Sequence, residues 1–338
     1  MKKIAIVGFG FMGRTHYGNW KKIKGAKVAA ICDSNLAQLT NKVQGNGKCA
    51  DQSTDFTGIA IYDSFDKMLA EADVDIVDIT LPTPLHPTMT AAALKAGKDV
   101  LCEKPMAVDA KTCDMMLAAA KKAGRKLMIA QCLRFQNEHV WVKDVIESGK
   151  YGKVKAAEFG RYSMTPGWSA GGGKSWFLDE SKSGGVALDL HIHDTDLVHW
   201  WFGMPKAVSS RAHLMADGVM DHISTTYLYD DKVVTGIGDW GCSPTFVFEA
   251  NMRLVFEKAT IVLDTRRKDA FLVYPEKGKP FTPKFSAEDG YMRELKAFLA
   301  WTNGKGEAPF CAKEARDSVA IVDAEKKSAK QNGKAVKA

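Results

Sequence analysis

Three short segments carry residue types that, at their spacing, could do chemistry together. The first is Gly8-Phe9-Gly10-Phe11-Met12-Gly13, which follows an apolar run and opens a helical pattern. In such a loop the first glycine permits a tight turn, the second lets a pyrophosphate approach the backbone, and the third lets helix and strand pack closely. The helix begun by Phe11 and Met12 then turns free N–H groups and a favourable dipole toward the phosphates. Asp33 ends the second apolar run, twenty residues past Gly13. A carboxylate there accepts from the adenosine ribose hydroxyls. Ser34 and Asn35 follow, with no Arg or Lys to meet a 2′-phosphate, so the pattern favours NAD over NADP.

The second segment, Glu103-Lys104-Pro105, follows a later strand run at the same edge of the expected sheet. A lysine there can donate a proton to an alkoxide or bind a hydroxyl, and its pKa falls when it is desolvated beside a cation. The alternative is an ordinary surface lysine. Its bond to proline is a candidate for cis geometry. The third segment, Gly184 to Asp194, holds Asp189 and His193. Four apart on a helix, they share a face, and Asp196 extends the stripe. Histidine suits proton exchange near neutrality, and a carboxylate one turn away can orient it or hold a substrate hydroxyl. His191 points to the far side and reads as structural. Asp-x-His-x-His-Asp also admits a metal site or a buried polar cluster. Side chains two apart diverge on a helix, so no metal is expected. Between the first two segments lies Pro82-Thr83-Pro84-Leu85-His86, in a loop placed to flank the nicotinamide ribose. His86 either bonds the cofactor or caps the next helix.

These segments need a scaffold. Through residue 130, strand runs at 3–7, 27–32, 76–81, 99–102 and 126–130 alternate with helical patterns at 64–71, 88–96 and 110–123. Strands apolar on both faces with helices between them predict an α/β, doubly wound parallel Rossmann sheet, which binds ligands at the carboxyl ends of its strands. Gly97 and Gly124 stand where helices should stop. From 131 to 338 the pattern changes to an α+β domain. It has a strand at 154–162, a long Gly/Trp-rich loop at 164–182, one helix at 185–202, six strand runs between 206 and 274, and helices at 287–302 and 313–330. That half reads as an open, mostly antiparallel sheet. Trp168 and Trp176, on the long loop, either offer a flat wall to a sugar ring or pack in the core.

The net charge is +7, and residues 325–338 alone hold five Lys against one Glu. The excess is therefore mostly a basic tail expected to fray, rather than a nucleic-acid surface. No apolar run approaches a membrane span. Seven scattered cysteines without a Cys-x-x-Cys suit reduced thiols in the cytoplasm.

With these segments in this order, the chain resembles the glucose–fructose oxidoreductase / inositol dehydrogenase group (Gfo/Idh/MocA) over nearly its whole length. The glycine motif is generic. Glu103-Lys104-Pro105 after Ala96-Gly97-Lys98-Asp99-Val100-Leu101-Cys102, and Gly184-Gly185…Asp189-x-x-x-His193-Asp194, are far more specific. The resemblance implies a Rossmann domain plus an open sheet that forms homodimer or homotetramer interfaces. It implies that Lys104, Asp189 and His193 line the place where a sugar or polyol carbon meets the nicotinamide, with Glu103 beside the cofactor. Arg134, followed by Phe135, falls near the substrate. The expected activity is NAD-dependent interconversion of a secondary alcohol and a ketone. In it His193 takes the hydroxyl proton, Lys104 stabilises the alkoxide and Asp189 orients both; the Lys and His roles are exchangeable. Two rivals keep the fold: a glycoside-cleaving enzyme that oxidises its sugar only transiently and retains NAD, and a non-catalytic dinucleotide sensor.

Overall fold

The computed structural model describes residues 1–40, 51–166 and 175–338. Trp168 lies outside the described residues. In chain order the elements are β1 (Lys2–Val7), α1 (Phe11–Trp20), β2 (Ala26–Cys32), β3 (Ala60–Tyr62), α2 (Phe65–Glu71), β4 (Ile76–Ile79), α3 (His86–Lys95), β5 (Asp99–Glu103), α4 (Ala110–Ala123), β6 (Leu127–Ala130), α5 (Asn137–Ser148), β7 (Val154–Met164), the short α6 (Glu180–Ser183), α7 (Ile192–Phe202), β8 (Ala207–Leu214), β9 (Met220–Leu228), β10 (Val233–Cys242), β11 (Glu249–Phe256), β12 (Ala259–Asp264), β13 (Phe271–Pro275), α8 (Gly290–Thr302) and α9 (Ala312–Lys330). They form two compact units, Met1–Phe135 with Glu288–Arg316 and Gln136–Ala287 with Asp317–Ala338. A single boundary after residue 130 is what the local pattern suggests. The chain returns α8 to the first unit, a long-range packing that no local pattern announces.

The first unit is built on a six-stranded sheet, ordered β3-β2-β1-β4-β5-β6 with every pairing parallel. β4, β5 and β6 are buried along their whole length, as strands covered on both faces must be. Each fully buried Val, Leu or Ile among them contributes about 1.5–3 kcal/mol. The chain leaves β1 toward β2 and β3, then crosses to β4 on the other side. The carboxyl ends of β1 and β4 therefore flank the topological switch point where such sheets take ligands. Helix ends follow local chemistry. The Asp109 side chain accepts from the Thr112 N–H at 2.7 Å to start α4, and Gly124, left-handed at φ 60°, ends it.

The second unit carries a seven-stranded sheet ordered β13-β12-β11-β7-β10-β9-β8, antiparallel except where β7 meets β10. Burial alternates along β10, with Val234, Gly236, Gly238 and Trp240 turned inward. The helix expected at 185–202 begins with a π turn, Ala187–His191, before α7. Two glycines of β10 make room for it. A Cβ on Gly238 would lie 2.7 Å from His191 Cβ, and one on Gly236 would lie 2.9 Å from His191 Cε1. The basic tail expected to fray is docked instead. Val336 bridges Val208 with two backbone bonds of 2.8 and 2.9 Å, and Ser209 Oγ donates to Gly333 O. The tail thereby covers the edge of β8. No helix among the described residues is long and apolar enough to cross a membrane, and none of the six described cysteines is in a disulfide.

Candidate active site

The glycine loop leaves β1 at the switch point. Gly8 has φ +90°, and a Cβ there would come within 2.9 Å of Thr80 O; a Cβ on Gly13 would stand 2.1 Å from Gly8 O. Both positions exclude any side chain for internal reasons. At Gly10 a Cβ would meet nothing within 4 Å. None of the described residues demands glycine there, and the open approach to its backbone is what a pyrophosphate needs. Gly10 also caps α1 without a side-chain bond, so the first-turn N–H groups, those of Phe11 and Met12 among them, are left to an anion. Asp33 is half-buried at the end of β2. Its Oδ2 accepts from the Phe9 N–H at 2.7 Å and its Oδ1 from the Asn35 N–H at 2.8 Å, which aims the carboxylate and leaves each oxygen a further lone pair for a ribose hydroxyl. Pro82 starts the turn after β4, its carbonyl accepting from the Leu85 N–H at 2.9 Å. This donor set fits a dinucleotide.

Lys104 is half-buried at the carboxyl end of β5, and its bond to Pro105 is cis. Its N–H donates to Glu103 Oε2 at 3.0 Å. His86, expected to touch the cofactor or cap a helix, does something else. It is fully buried, with Nδ1 2.8 Å from Pro105 O and Nε2 2.7 Å from Leu81 O. Both ring nitrogens face backbone carbonyls, which leaves neither for a cofactor and corrects that expectation. Burial pushes its imidazole pKa down. Arg134 is buried, donates to Glu314 at 2.9 Å and lies 4.7 Å over the Phe310 ring, so it ties two segments of the first unit together. Trp176 stacks on Phe177 with ring centroids 4.1 Å apart.

In the second unit, Asp189 and His193 are half-buried while Leu188, Leu190, His191, Ile192 and Asp194 are buried. Both are thus the less buried positions of the π turn and of the first turn of α7. Asp196 is fully buried and accepts from Ser318 Oγ at 2.7 Å; it serves the interior. His191 is structural. Its Nε2 lies 3.0 Å from Tyr227 OH, which is 2.8 Å from Thr195 Oγ1, and Thr195 donates to Glu325 at 3.1 Å. The Glu325 carboxylate raises the His191 pKa against the opposing effect of burial.

One group of residues goes unnoticed in the sequence. His16, three residues past Gly13, sets Nδ1 3.0 and 2.9 Å from the two oxygens of Asp78 and Nε2 3.1 Å from Glu103 Oε1. Asp78 also accepts from Trp20 Nε1 at 2.7 Å. Glu294 of α8 completes the cluster, and ligating atoms of His16, Glu103 and Glu294 lie within 4.8 Å of one another. The available signal was Asp78, a charge inside the apolar run Ile76-Val77-Asp78-Ile79.

Two family descriptions match the chain: an oxidoreductase family with an NAD-binding Rossmann fold over residues 2–131, and a GFO/IDH/MocA C-terminal domain over residues 139–262. An inositol 2-dehydrogenase/D-chiro-inositol 3-dehydrogenase of Lactiplantibacillus plantarum is 30% identical over 200 residues, 59% of this chain and 51% of that one. A D-apiose dehydrogenase of Paraburkholderia graminis is 28% identical over 240 residues, 70% of this chain and 60% of its own. The chain thus spans little more than half the length of these curated relatives. The WlbA dehydrogenase of Bordetella pertussis, solved with NADH and UDP-GlcNAcA, superposes with a TM-score of 0.82 at 20% identity, covering 99% of this chain and 98% of that one; this likeness is one of fold. The two domain matches take in the glycine loop, Lys104, Asp189 and His193, and the chain belongs to the Gfo/Idh/MocA oxidoreductase family, its first unit an NAD-binding Rossmann fold.

Proposed function

We propose that the protein is an NAD-dependent oxidoreductase that interconverts a secondary alcohol and a ketone on a sugar or cyclic polyol, with Lys104, Asp189 and His193 at the reacting carbon. The observation that carries this reading is the placement of Lys104, half-buried at the carboxyl end of β5 beside a cradle that keeps Gly10 open and aims Asp33. NAD, when bound, supplies the hydride acceptor. The protein's own work is to move a proton and hold the alcohol. His193 takes the hydroxyl proton, and the Lys104 ammonium stabilises the oxygen as negative charge develops. Asp189 orients the hydroxyl and the imidazole. In this reading the proton-accepting role falls to either His193 or Lys104. The inositol and apiose dehydrogenases among its relatives support polyols and sugars as the substrate class. The same reading places the protein in the cytoplasm as a homodimer or homotetramer formed through the second unit's sheet.

The test is absorbance at 340 nm with NAD or NADP and a panel of inositols, aldoses and anhydrosugars. Net NADH should accumulate with one of them. Lys104→Ala should lower turnover about a hundred- to ten-thousand-fold while leaving NAD affinity within about threefold. Near-normal turnover in that variant would sink the assignment.

A further inference from the structure

We propose that His16, Asp78 and Glu294 form a buried positioning device for Lys104 that acts through the Glu103 carboxylate. It rests on the reading of Lys104 given above. His16 has a carboxylate at each ring nitrogen: both oxygens of Asp78 at Nδ1 and Glu103 Oε1 at Nε2. Nδ1 is hydrogen-bonded to Asp78, whereas Nε2 and Glu103 Oε1 meet as an ion pair without hydrogen-bond alignment, so it is the two negative charges that favour the doubly protonated ring. His16 and Asp78 are fully buried and Glu103 is 5% exposed, so no solvent competes for these contacts. Burial opposes the charge, but the two carboxylates outweigh it and hold the His16 pKa well above its ordinary value.

Glu294 explains how so many acids tolerate one another. It is 0% exposed, neither of its oxygens has a hydrogen-bond partner, and its Oε1 lies 3.9 Å from His16 Nε2. Burial, and next to it the negative Glu103, Asp78 and Asp289, push its pKa well up against the pull of His16. Burial and the neighbouring acids thus favour the neutral form of Glu294, which adds little negative charge beside His16. Burial pushes the pKa of the nearby Cys132 thiol well up.

The mechanical consequence falls on Glu103. One oxygen is ion-paired with His16 on α1 at 3.1 Å, and the other accepts the Lys104 N–H at 3.0 Å. Asp78 is held in turn by Trp20, also on α1. The helix that opens at the glycine loop and the strand that ends at Lys104 thus share one clamp. A shift of His16 would move the lysine relative to the cradle, and misplacement on the ångström scale is enough to slow a reaction about a hundredfold. His16, Asp78 and Glu294 are positioning residues; only Lys104 addresses the substrate.

Two measurements test the device. In the wild-type protein, ¹⁵N-histidine spectra should show His16 still doubly protonated at a pH where an exposed histidine is neutral; a neutral His16 there overturns the proposal. In Glu103→Gln, which keeps the shape and removes the charge, kcat should fall at least about tenfold and NAD affinity should stay within about threefold. The His16 signal should then become titratable. His16→Gln should behave alike, and combining it with Glu103→Gln should recover part of kcat, because two amides rebuild the contact. Unchanged kcat in Glu103→Gln, with Lys104→Ala still inactive, rejects the clamp and spares the function. An active Lys104→Ala rejects both. A stoichiometric divalent metal in the purified protein, removable by chelation together with the His16 signature, would also overturn it by making Glu294 a ligand.

Discussion

In the first unit, beneath Lys104, charged groups meet directly: His16 lies between Asp78 and Glu103 at 2.9 to 3.1 Å. In the second unit, beneath Asp189 and His193, hydroxyls intervene. His191 stands 3.7 Å from Glu325, and Tyr227 and Thr195 carry the contact between them. The directly bonded buried ion pair there is Arg161–Asp194, whose two bonds measure 2.9 and 3.1 Å. The difference teaches how each support should fail. A buried charge left without its partner is costly, whereas a lost neutral hydrogen bond is modest. The first network should be brittle at every member. The second should be most brittle at its ion pair.

The largest expected effect is therefore Asp78→Ala. It removes both the counter-charge of His16 and the acceptor of Trp20, and should lower unfolding free energy by about 3–5 kcal/mol in urea titrations. Arg161→Met comes next. It strands Asp194, which is 2% exposed, and should cost about 3 kcal/mol. If Tyr227→Phe proved as damaging as either, the contrast between the networks would be broken.

The same contrast shows what was legible in the sequence. The glycine loop and the alternating strands and helices are local patterns, and they appear where spacing puts them. The His16 cluster joins residues as far as 62 apart through His16 and Asp78 alone, and Glu294 reaches it only because α8 returns to the first unit. Such long-range partners leave no periodic trace. The π turn escapes for another reason: Ala187–His191 is apolar at the positions an α-helix would also fill, and the glycines that accommodate it lie on β10. β3 is three residues long and its burial pattern is mostly exposed, too short for alternation to register. The docked tail fails to show because its charge suggests solvent, while Val336 alone supplies the bridge.

The pH dependence of stability sharpens the comparison further. His16 and His191 both have raised pKa values. A raised value means that the folded state binds the proton more tightly than the unfolded chain. Their stabilisation is fully present below about pH 6.5 and is lost as pH rises through the folded values. In that window each contributes a fall of about 1.4 kcal/mol per pH unit. Glu294, raised for a different reason, acts with the same sign from about pH 4.5 upward. His16→Gln should flatten the alkaline fall more than His191→Gln does, since the carboxylates stand 2.9 to 3.1 Å from His16 and 3.7 Å from His191. Equal flattening by the two would mean that the carboxylates around His16 hold it no more firmly than Glu325 holds His191.

The smallest effects come from the neutral donors, one in each network. Trp20 donates to the charged Asp78 at 2.7 Å, while Tyr227 OH sits between Thr195 at 2.8 Å and His191 at 3.0 Å. A bond to a charged acceptor is worth about 1.5–3 kcal/mol and a neutral one about 1 kcal/mol. Trp20→Phe also leaves a gap where the larger ring packed, since Trp20 is fully buried, whereas Tyr227→Phe removes a single oxygen. Trp20→Phe should thus cost at least about twice as much as Tyr227→Phe in matched urea titrations. Adding each change to Asp78→Ala separates packing from charge. With the carboxylate gone, the excess cost of Trp20→Phe should shrink to its packing part, and the cost of Tyr227→Phe, in the other unit, should add unchanged.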